Sequence, residues 1–491
     1  MRLSGRSGWG GAFAAIAIAC VGLPVTSPAR AETLAQALVA AYRNNPSLNA
    51  QRAGVRATDE NVPQALSGYR PRITVTASGG EQTIETTVKE GNPLNSTRPV
   101  ICTAISCPPL YNPAYYTKQH GYNSPFSVGA TISQTLFNGF QTPNKTRQAE
   151  AQVLAARATL QNTVQTVLLN AVTAYMNLLR DTAILDLQRR NVEVLQEQLR
   201  QTRDRFNVGE VTRTDVAQSE SRLAAGRSQV LSAEANFKAS QATYRQVIGH
   251  NPGKLTPGTP VDRFSPGTLA GAVARGTTAH PSVTTAQFNV DVAQLAVKVA
   301  EGALLPNLSV QGSYQKNYLA VGSLNTMESY NASVLGTLSV PIYQGGAEYS
   351  AIRQAKETLG QRRLDFDTAR DTVRQEVVQS WGELEAAKAN IDATQAQVQA
   401  AEIALNGVRE EARVGQRTTL DVLNAQQELV NARVSLVTAQ RDRVVASYTL
   451  LGAVGRLSPQ VLGLRVPVYD ATVHYRQVRD AWAGTRNPDG R

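Results

Sequence analysis

The sequence is poor in the residues that carry catalytic and metal chemistry. Its 491 residues include three cysteines and four histidines, and aromatic residues make up 6% of the chain. The histidines are scattered, and none has a Cys, Asp or Glu partner at metal-ligand spacing, so we expect neither a metal nor another cofactor. The Gly-x-Ser-x-Gly motif of nucleophilic hydrolases is also missing. These absences argue against an enzyme.

Long apolar runs are missing after the N-terminal region. Residues 1–31 contain two early arginines, an apolar run from Ala12 to Leu23, and the small-x-small sequence Ala29-Arg30-Ala31. This order predicts a cleaved secretory signal. The run is too short to span a bilayer, and lipid attachment at Cys20 is the alternative. An exported protein without transmembrane helices is soluble, attached to a surface or a β-barrel.

Two cysteines belong to the part of the chain that would be exported. Cys102 and Cys107 lie in a Pro-rich segment. In an oxidising compartment they are expected to form a small disulfide. A zinc site is disfavoured, because no His or third Cys lies nearby to complete the ligand shell.

The chain repeats itself. Residues 33–47 match residues 268–282 at an offset of 235, whereas Leu136–Gly139 matches Ile342–Gly345 at an offset of 206. The difference of 29 residues predicts an insertion in the first copy, in the loop that contains the two cysteines. The predicted organisation is a signal peptide (1–31), a first repeat (32–248), a linker (249–267), a second repeat (268–452) and a C-terminal tail (453–491).

The motif V-G-x-x-T-x-x-D-V occurs at residues 208–216 and again at 414–422. Each copy interrupts a long helical pattern. Glycine permits a chain reversal, and Thr and Asp suit the start of a new helix. Each motif is therefore predicted to be the tip of an α-hairpin, with the hairpins covering about residues 141–248 and 347–451.

The outgoing helix of each hairpin has 67 residues and would be roughly 100 Å long. The shorter helices, at about residues 33–68 and 213–248 in the first repeat, have 36 residues each. Two short helices stacked end to end therefore match one long helix. This arrangement predicts a tube wall in which short helices meet at mid-height, where the linker and the tail form a belt.

Alternation of apolar and small polar residues predicts four strands, at about residues 71–80, 127–137, 306–316 and 333–343. Aromatic residues cluster at their ends. An apolar face, a small polar face and an aromatic rim are typical of an outer-membrane barrel, and a half-exposed soluble sheet is the alternative. Four strands cannot enclose a conduit, and eight make a barrel filled by its own side chains. We therefore expect a trimer that shares twelve strands.

In such a trimer, six tips would converge at one end of the tube. Asp215 and Asp421 begin the returning helices, where a carboxylate caps the exposed N–H groups. Capping alone is one interpretation. The other is that Asp421, repeated three times, rings a constriction that favours cations. Arg417 would then latch the constriction shut against Asp215 or Thr214 of a neighbouring hairpin.

This organisation resembles the TolC family of outer-membrane factors. The resemblance covers nearly the whole mature chain and is carried by the duplication, by Leu136-Phe137-Asn138-Gly139 with Ile342-Tyr343-Gln344-Gly345, and by the two tip motifs. The tail over residues 468–482 is similar to members associated with type I secretion. The resemblance implies a homotrimer with a 12-stranded barrel in outer-membrane lipid and a long periplasmic α-helical barrel. Its tips would close the entrance and bind a periplasmic adaptor that is coupled to an inner-membrane transporter.

The functional positions of the family carry over unevenly. Asp215, Arg417 and Asp421 match positions implicated in closing or charging the entrance. Asn424 stands where some members have a second acid, and Ala412 stands where some have a tyrosine. The residues expected to bind the adaptor are Val208, Gly209, Glu210, Thr212, Val414, Gly415, Gln416 and Thr418.

The sequence therefore predicts a passive exit duct for drug efflux or type I protein secretion. Energy would come from the partner transporter, because the chain has no nucleotide-binding motif. Its Lys and Arg residues are spread along helices among acids, which argues against a nucleic-acid partner. A structural coiled-coil stalk is the alternative function, and an unrelated enzyme is the third.

Overall fold

The computed structural model describes residues 31–90, 115–321 and 325–488. Cys102, Cys107 and nearly all of the predicted signal peptide lie outside the described residues. The helices are α1 (Leu34–Asn44), α2 (Pro46–Asp59), α3 (Asn61–Leu66), α4 (Gln141–Asn207), α5 (Arg213–Ile248), α6 (Leu269–Ala279), α7 (Pro281–Gly302), α8 (Ala347–Arg413), α9 (Thr419–Ala453) and α10 (Ala471–Val478). The strands are β1 (Arg72–Gly79), β2 (Gln82–Glu90), β3 (Tyr115–Asn138), β4 (Asn307–Val321) and β5 (Asn325–Ser339).

The first helix of each repeat is broken, which differs from the single helix of about 36 residues expected from the sequence. In the first repeat breaks lie at Asn45, before Pro46, and at Glu60, between α2 and α3. In the second repeat the break lies at His280, before Pro281. Both residues before proline have extended backbone, because proline disfavours the helical conformation of the residue that precedes it. Each proline then occupies the first turn of the following helix, where its missing N–H costs nothing.

The sheet contains five strands among the described residues, rather than the four expected. Its order is β1-β3-β4-β5, and β2 also pairs with β3. β1 and β2 pair with successive parts of the long strand β3, so together they occupy one strand position. β3 is longer than expected because its first residues pair with β2. β5 ends at Ser339, earlier than expected, since Pro341 cannot donate to a ladder.

The two faces of the sheet differ in chemistry. One row across the sheet joins Ile73, Ile132, Gly312 and Val334, and its three large apolar side chains are exposed. The adjacent row is polar and contains Ser313 and Ser333, whose hydroxyls lie 2.8 Å apart. The sheet thus has an unpartnered apolar face and a face of small polar residues.

The helices form one wall. α4 packs against α2 and α7 over the half nearer the sheet, and against α5 and α9 over the half nearer the tips. α8 packs against α7 and α9. α5 and α8 are therefore the two lateral edges of the wall near the tips. No helix of the described residues has an apolar stretch long enough to cross a bilayer.

The largest apolar core lies at the middle of α4. Tyr175 is fully buried there among residues of α1, α5 and α9. Its hydroxyl donates to the carbonyl of Thr256, in the linker, at 2.6 Å. Leu457, just after α9, is buried in the same core. The linker and the start of the tail thus meet the helices at mid-height.

Candidate functional site at the hairpin tips

Both tips reverse direction by the same backbone geometry. Gly209 and Gly415 have φ angles of +85° and +79°, in the left-handed region where a side chain would be strained. In the first tip the Glu210 N–H donates to the Arg205 carbonyl at 2.9 Å, and in the second Gln416 makes the equivalent bond. These bonds satisfy carbonyl groups at the end of each long helix. The two tips share this geometry because they share the same sequence motif.

A threonine and an aspartate begin each returning helix. The Thr418 N–H donates to Asp421 Oδ2 at 3.0 Å, and the Asp421 N–H donates to Thr418 Oγ1 at 3.3 Å. Thr212 and Asp215 form the same reciprocal pair. Each pair is a capping box, which satisfies two exposed N–H groups of the helix. The hydrogen bonds from the Thr418 backbone and side chain hold the pKa of the Asp421 carboxyl below its usual value.

Each tip also carries an ion pair within its own hairpin. Arg205 Nε lies 2.9 Å from a Glu210 carboxylate oxygen, and Arg417 Nε lies 2.9 Å from Glu411. In the single chain Arg417 therefore binds Glu411 rather than Asp215. Glu411 was not among the residues selected from the sequence, although it is only six positions from Arg417.

An open cleft of about 770 Å³ lies between the two tips. Asp215 and Arg417 both line it, so the fold brings these two selected residues to one surface. Beside the cleft, the side chains of Val208 and Val414 at the ends of the long helices are 72% and 71% exposed. The cleft is also lined by Glu193, Glu197, Arg205, Glu210, Thr212, Arg409, Arg413, Gly415 and Thr418.

The two hairpins contact each other just above the tips. Leu423 of α9 is only 3% exposed, because it packs in a cluster with Leu195, Leu199 and Leu223 of the first hairpin. Next to it, Arg222 Nη2 donates to the side-chain oxygen of Asn424 at 2.6 Å. Asn424 thus faces α5 of the same chain. Arg222 was missed from the sequence, since no local pattern relates residues 202 positions apart.

The chain is similar in sequence and in fold to known proteins. The family model for outer membrane efflux proteins matches residues 37–250 and 277–456. The chain is 41% identical over 464 residues to the outer membrane efflux protein BepC of Brucella suis, covering 94% of each protein. It is 25% identical over 450 residues to the outer membrane protein TolC of Escherichia coli, covering 89% of this chain and 85% of TolC. Among solved structures, the CmeC outer membrane channel of Campylobacter jejuni superposes with a TM-score of 0.70 at 17% identity, over 91% of this chain and 89% of CmeC.

Proposed function

This chain belongs to the outer membrane efflux protein family, and from that premise we propose that three copies form one duct, from the periplasm to the cell exterior. The resemblance to the TolC family is thereby confirmed. The protein is an efflux channel of the outer membrane that extends into the periplasm. The number of chains and the roles of individual residues rest on the observations that follow.

The observation that most directly supports a trimer is the open sheet. β1 and β2 lie at one edge and β5 at the other, so each edge has N–H and C=O groups without a strand partner among the residues that the structure describes. In a bilayer such groups must be satisfied by pairing, which only a closed barrel provides. Three chains with four strand positions each give twelve, enough to surround a conduit, whereas eight strands would be filled by side chains.

The two faces of the sheet suit this arrangement. The exposed apolar row would face lipid, and the serine row would face water inside the barrel. In the helical wall near the tips, apolar side chains remain exposed on both lateral edges, namely Leu231 on α5 and Ile403 on α8. Threefold symmetry would bring α8 of one chain against α5 of the next and bury these side chains.

At the entrance, we assign Asp421 to a ring of three carboxylates. An exposed aspartate is charged at neutral pH, and a ring of such charges favours cations. Asp215 and Arg417 line the cleft beside it and would form contacts between neighbouring tips when the entrance is closed. Asn424 adds no charge to the ring.

The tips also offer a surface for a periplasmic adaptor. The exposed Val208 and Val414 and the cleft between the tips form an apolar apex beside a charged groove. A helical hairpin with complementary charge fits such a groove. The adaptor would in turn connect the duct to an inner-membrane transporter, which supplies the energy.

Recordings from the protein reconstituted in planar bilayers test the proposed duct. The wild type should form cation-selective channels, and Asp421→Asn should lower the preference for cations. Arg417→Ala should raise single-channel conductance, because it removes a contact that closes the entrance. Arg374→Ala is the matched control, since it removes the same charge from α8 at a residue that is paired within its own helix and does not line the cleft. A protein that forms no channels, or equal conductance in both arginine variants, would contradict the respective assignment.

A further inference from the structure

The two repeats share a junction that the proposed duct does not explain. In each repeat, the helix that starts at a proline begins beside the C-terminal end of the returning helix. α2 begins beside the end of α5, and α7 begins beside the end of α9. A helix start has N–H groups without acceptors, and a helix end has carbonyls without donors. A side chain between them must therefore both accept and donate.

In the first repeat this side chain is Asn45. Its Oδ1 accepts hydrogen bonds from the N–H groups of Ser47 and Leu48, at 3.0 and 3.3 Å. Its Nδ2 donates to the carbonyl of Val247, near the end of α5, at 3.1 Å. The carboxamide thus caps α2 with one atom and binds α5 with the other. Asparagine does this at every pH, because its amide does not titrate.

In the second repeat the equivalent residue is His280, 235 positions later. Its Nδ1 accepts from the Ser282 N–H at 3.2 Å and lies 2.7 Å from Ser282 Oγ. Its ring also faces the carbonyl of Gly452, near the end of α9. A backbone N–H can only donate, so Nδ1 must be unprotonated and the donor is Nε2–H. Only neutral imidazole can hold both helices.

We propose that Asn45 and His280 are equivalent connectors of the stacked helices, and that His280 makes the connection in the second repeat sensitive to acid. Protonation places a hydrogen on Nδ1, which can then donate to Ser282 Oγ but no longer accepts from the Ser282 N–H. The first turn of α7 therefore loses its cap. The imidazolium would also be buried, since His280 is only 6% exposed. The first repeat has no corresponding change.

The surroundings of His280 allow a proton to reach it. The ring borders a cavity of about 720 Å³ between α4 and α8. The titratable groups that line this cavity besides His280 are Asp365, Glu376 and Glu383 of α8, whereas α4 and α9 face it with uncharged residues. Burial lowers the pKa of His280 from its ordinary value of 6.5, and the carbonyl of Gly452 opposes this shift only in part.

The sign of the pH effect follows from this lowered pKa. Between the two values the unfolded junction binds a proton that the folded junction does not. The stabilising contribution of His280 is therefore complete above about pH 6.5 and is lost as the pH falls through the folded-state pKa. For one proton, the ratio of closed to opened junctions falls by at most about tenfold per pH unit.

Four variants of the full-length protein in detergent test this proposal by amide hydrogen exchange between pH 7.5 and 5, corrected for intrinsic rates. They are His280→Asn, His280→Ala, Asn45→His and His120→Asn. In the wild type, protection at the start of α7 should fall with pH, whereas protection at the start of α2 should not. His280→Asn should keep neutral-pH protection and remove the fall, because asparagine already serves this role in the first repeat. Asn45→His should introduce a fall at α2. His120→Asn, which changes an exposed histidine of β3, should leave the wild-type profile.

Two outcomes would overturn the proposal. If His280→Asn retains the wild-type pH dependence at α7, the imidazole is not the titrating group. If His280→Asn loses protection at pH 7.5 as fully as His280→Ala does, the side chain does not act through its two hydrogen bonds. Because exchange is measured at the junction, neither outcome depends on whether the channel conducts.

Discussion

Replacing Leu423 with alanine should loosen the entrance of the duct. The side chain is 3% exposed and packs against three leucines of the first hairpin, so its removal leaves an apolar gap between the hairpins. Buried leucine-to-alanine changes cost about 2–5 kcal/mol. Because the site lies near the tips and can partly collapse, we expect the lower part of this range, about 2–3 kcal/mol per chain.

The size of this change sets the expected effect on gating. If the leucine contact exists only when the tips are closed, 2–3 kcal/mol lowers the ratio of closed to open hairpins by about 30- to 150-fold. Single-channel recordings should then show larger or more frequent openings of Leu423→Ala. Leu154→Ala is the control, because Leu154 lies on α4 far from the tips and is 41% exposed.

Two results would refute this reasoning. Wild-type conductance together with wild-type thermal stability would mean that the contact contributes little. A less stable protein with wild-type conductance would mean that the leucine cluster persists when the entrance opens, so that the two hairpins move as one unit.

Three further changes probe the tips. Gly415→Val should weaken crosslinking to the adaptor while oligomers persist. A residue with a side chain is destabilised by about 1–2 kcal/mol in the left-handed backbone conformation of this position. Gly407→Val, within α8, is the control and should crosslink normally. Arg222→Ala should raise conductance by removing a hydrogen bond between the hairpins, whereas equal conductance of Arg222→Ala and Arg227→Ala would exclude that role. Thr418→Ala should cost about 1 kcal/mol and speed amide exchange in the first turn of α9, and unchanged exchange there would count against the capping box.

The long helices could be predicted closely because their ends carry local signals. The glycine of each tip ends a helix, and the Thr-x-x-Asp after it begins the next, so α4 and α8 have the bounds that the pattern indicates. The duplication gave each signal twice. The breaks at Asn45 and His280 had a local signal in the prolines that follow them, because proline disfavours helical backbone at the preceding residue.

The strands were harder to predict where the repeats differ. At the offsets of 235 and 206, residues 82–86 of β2 correspond to the end of β4, and residues 119–133 of β3 correspond to β5. Only the last residues of β2 and the first residues of β3 fall in the insertion. β2 was missed because it lacks a clear apolar face, so that periodicity gives no signal for it.

In the candidate site, too, interactions between residues close in sequence could be predicted, whereas interactions between distant residues could not. The capping role of Asp215 and Asp421 follows from spacing within a few residues. Glu411, the partner of Arg417, is also only six residues away in sequence. The latch hypothesis, however, considered only partners on neighbouring hairpins. The bond between Arg222 and Asn424 depends on how two hairpins pack, which a single sequence does not encode in any local pattern.

The central claim is that one chain provides a third of a closed barrel and tube. Native mass spectrometry of the protein extracted from outer membranes in mild detergent tests it most directly. We predict a complex with the mass of three mature chains. A stable species of one or two chains, with no larger complex, would contradict the account.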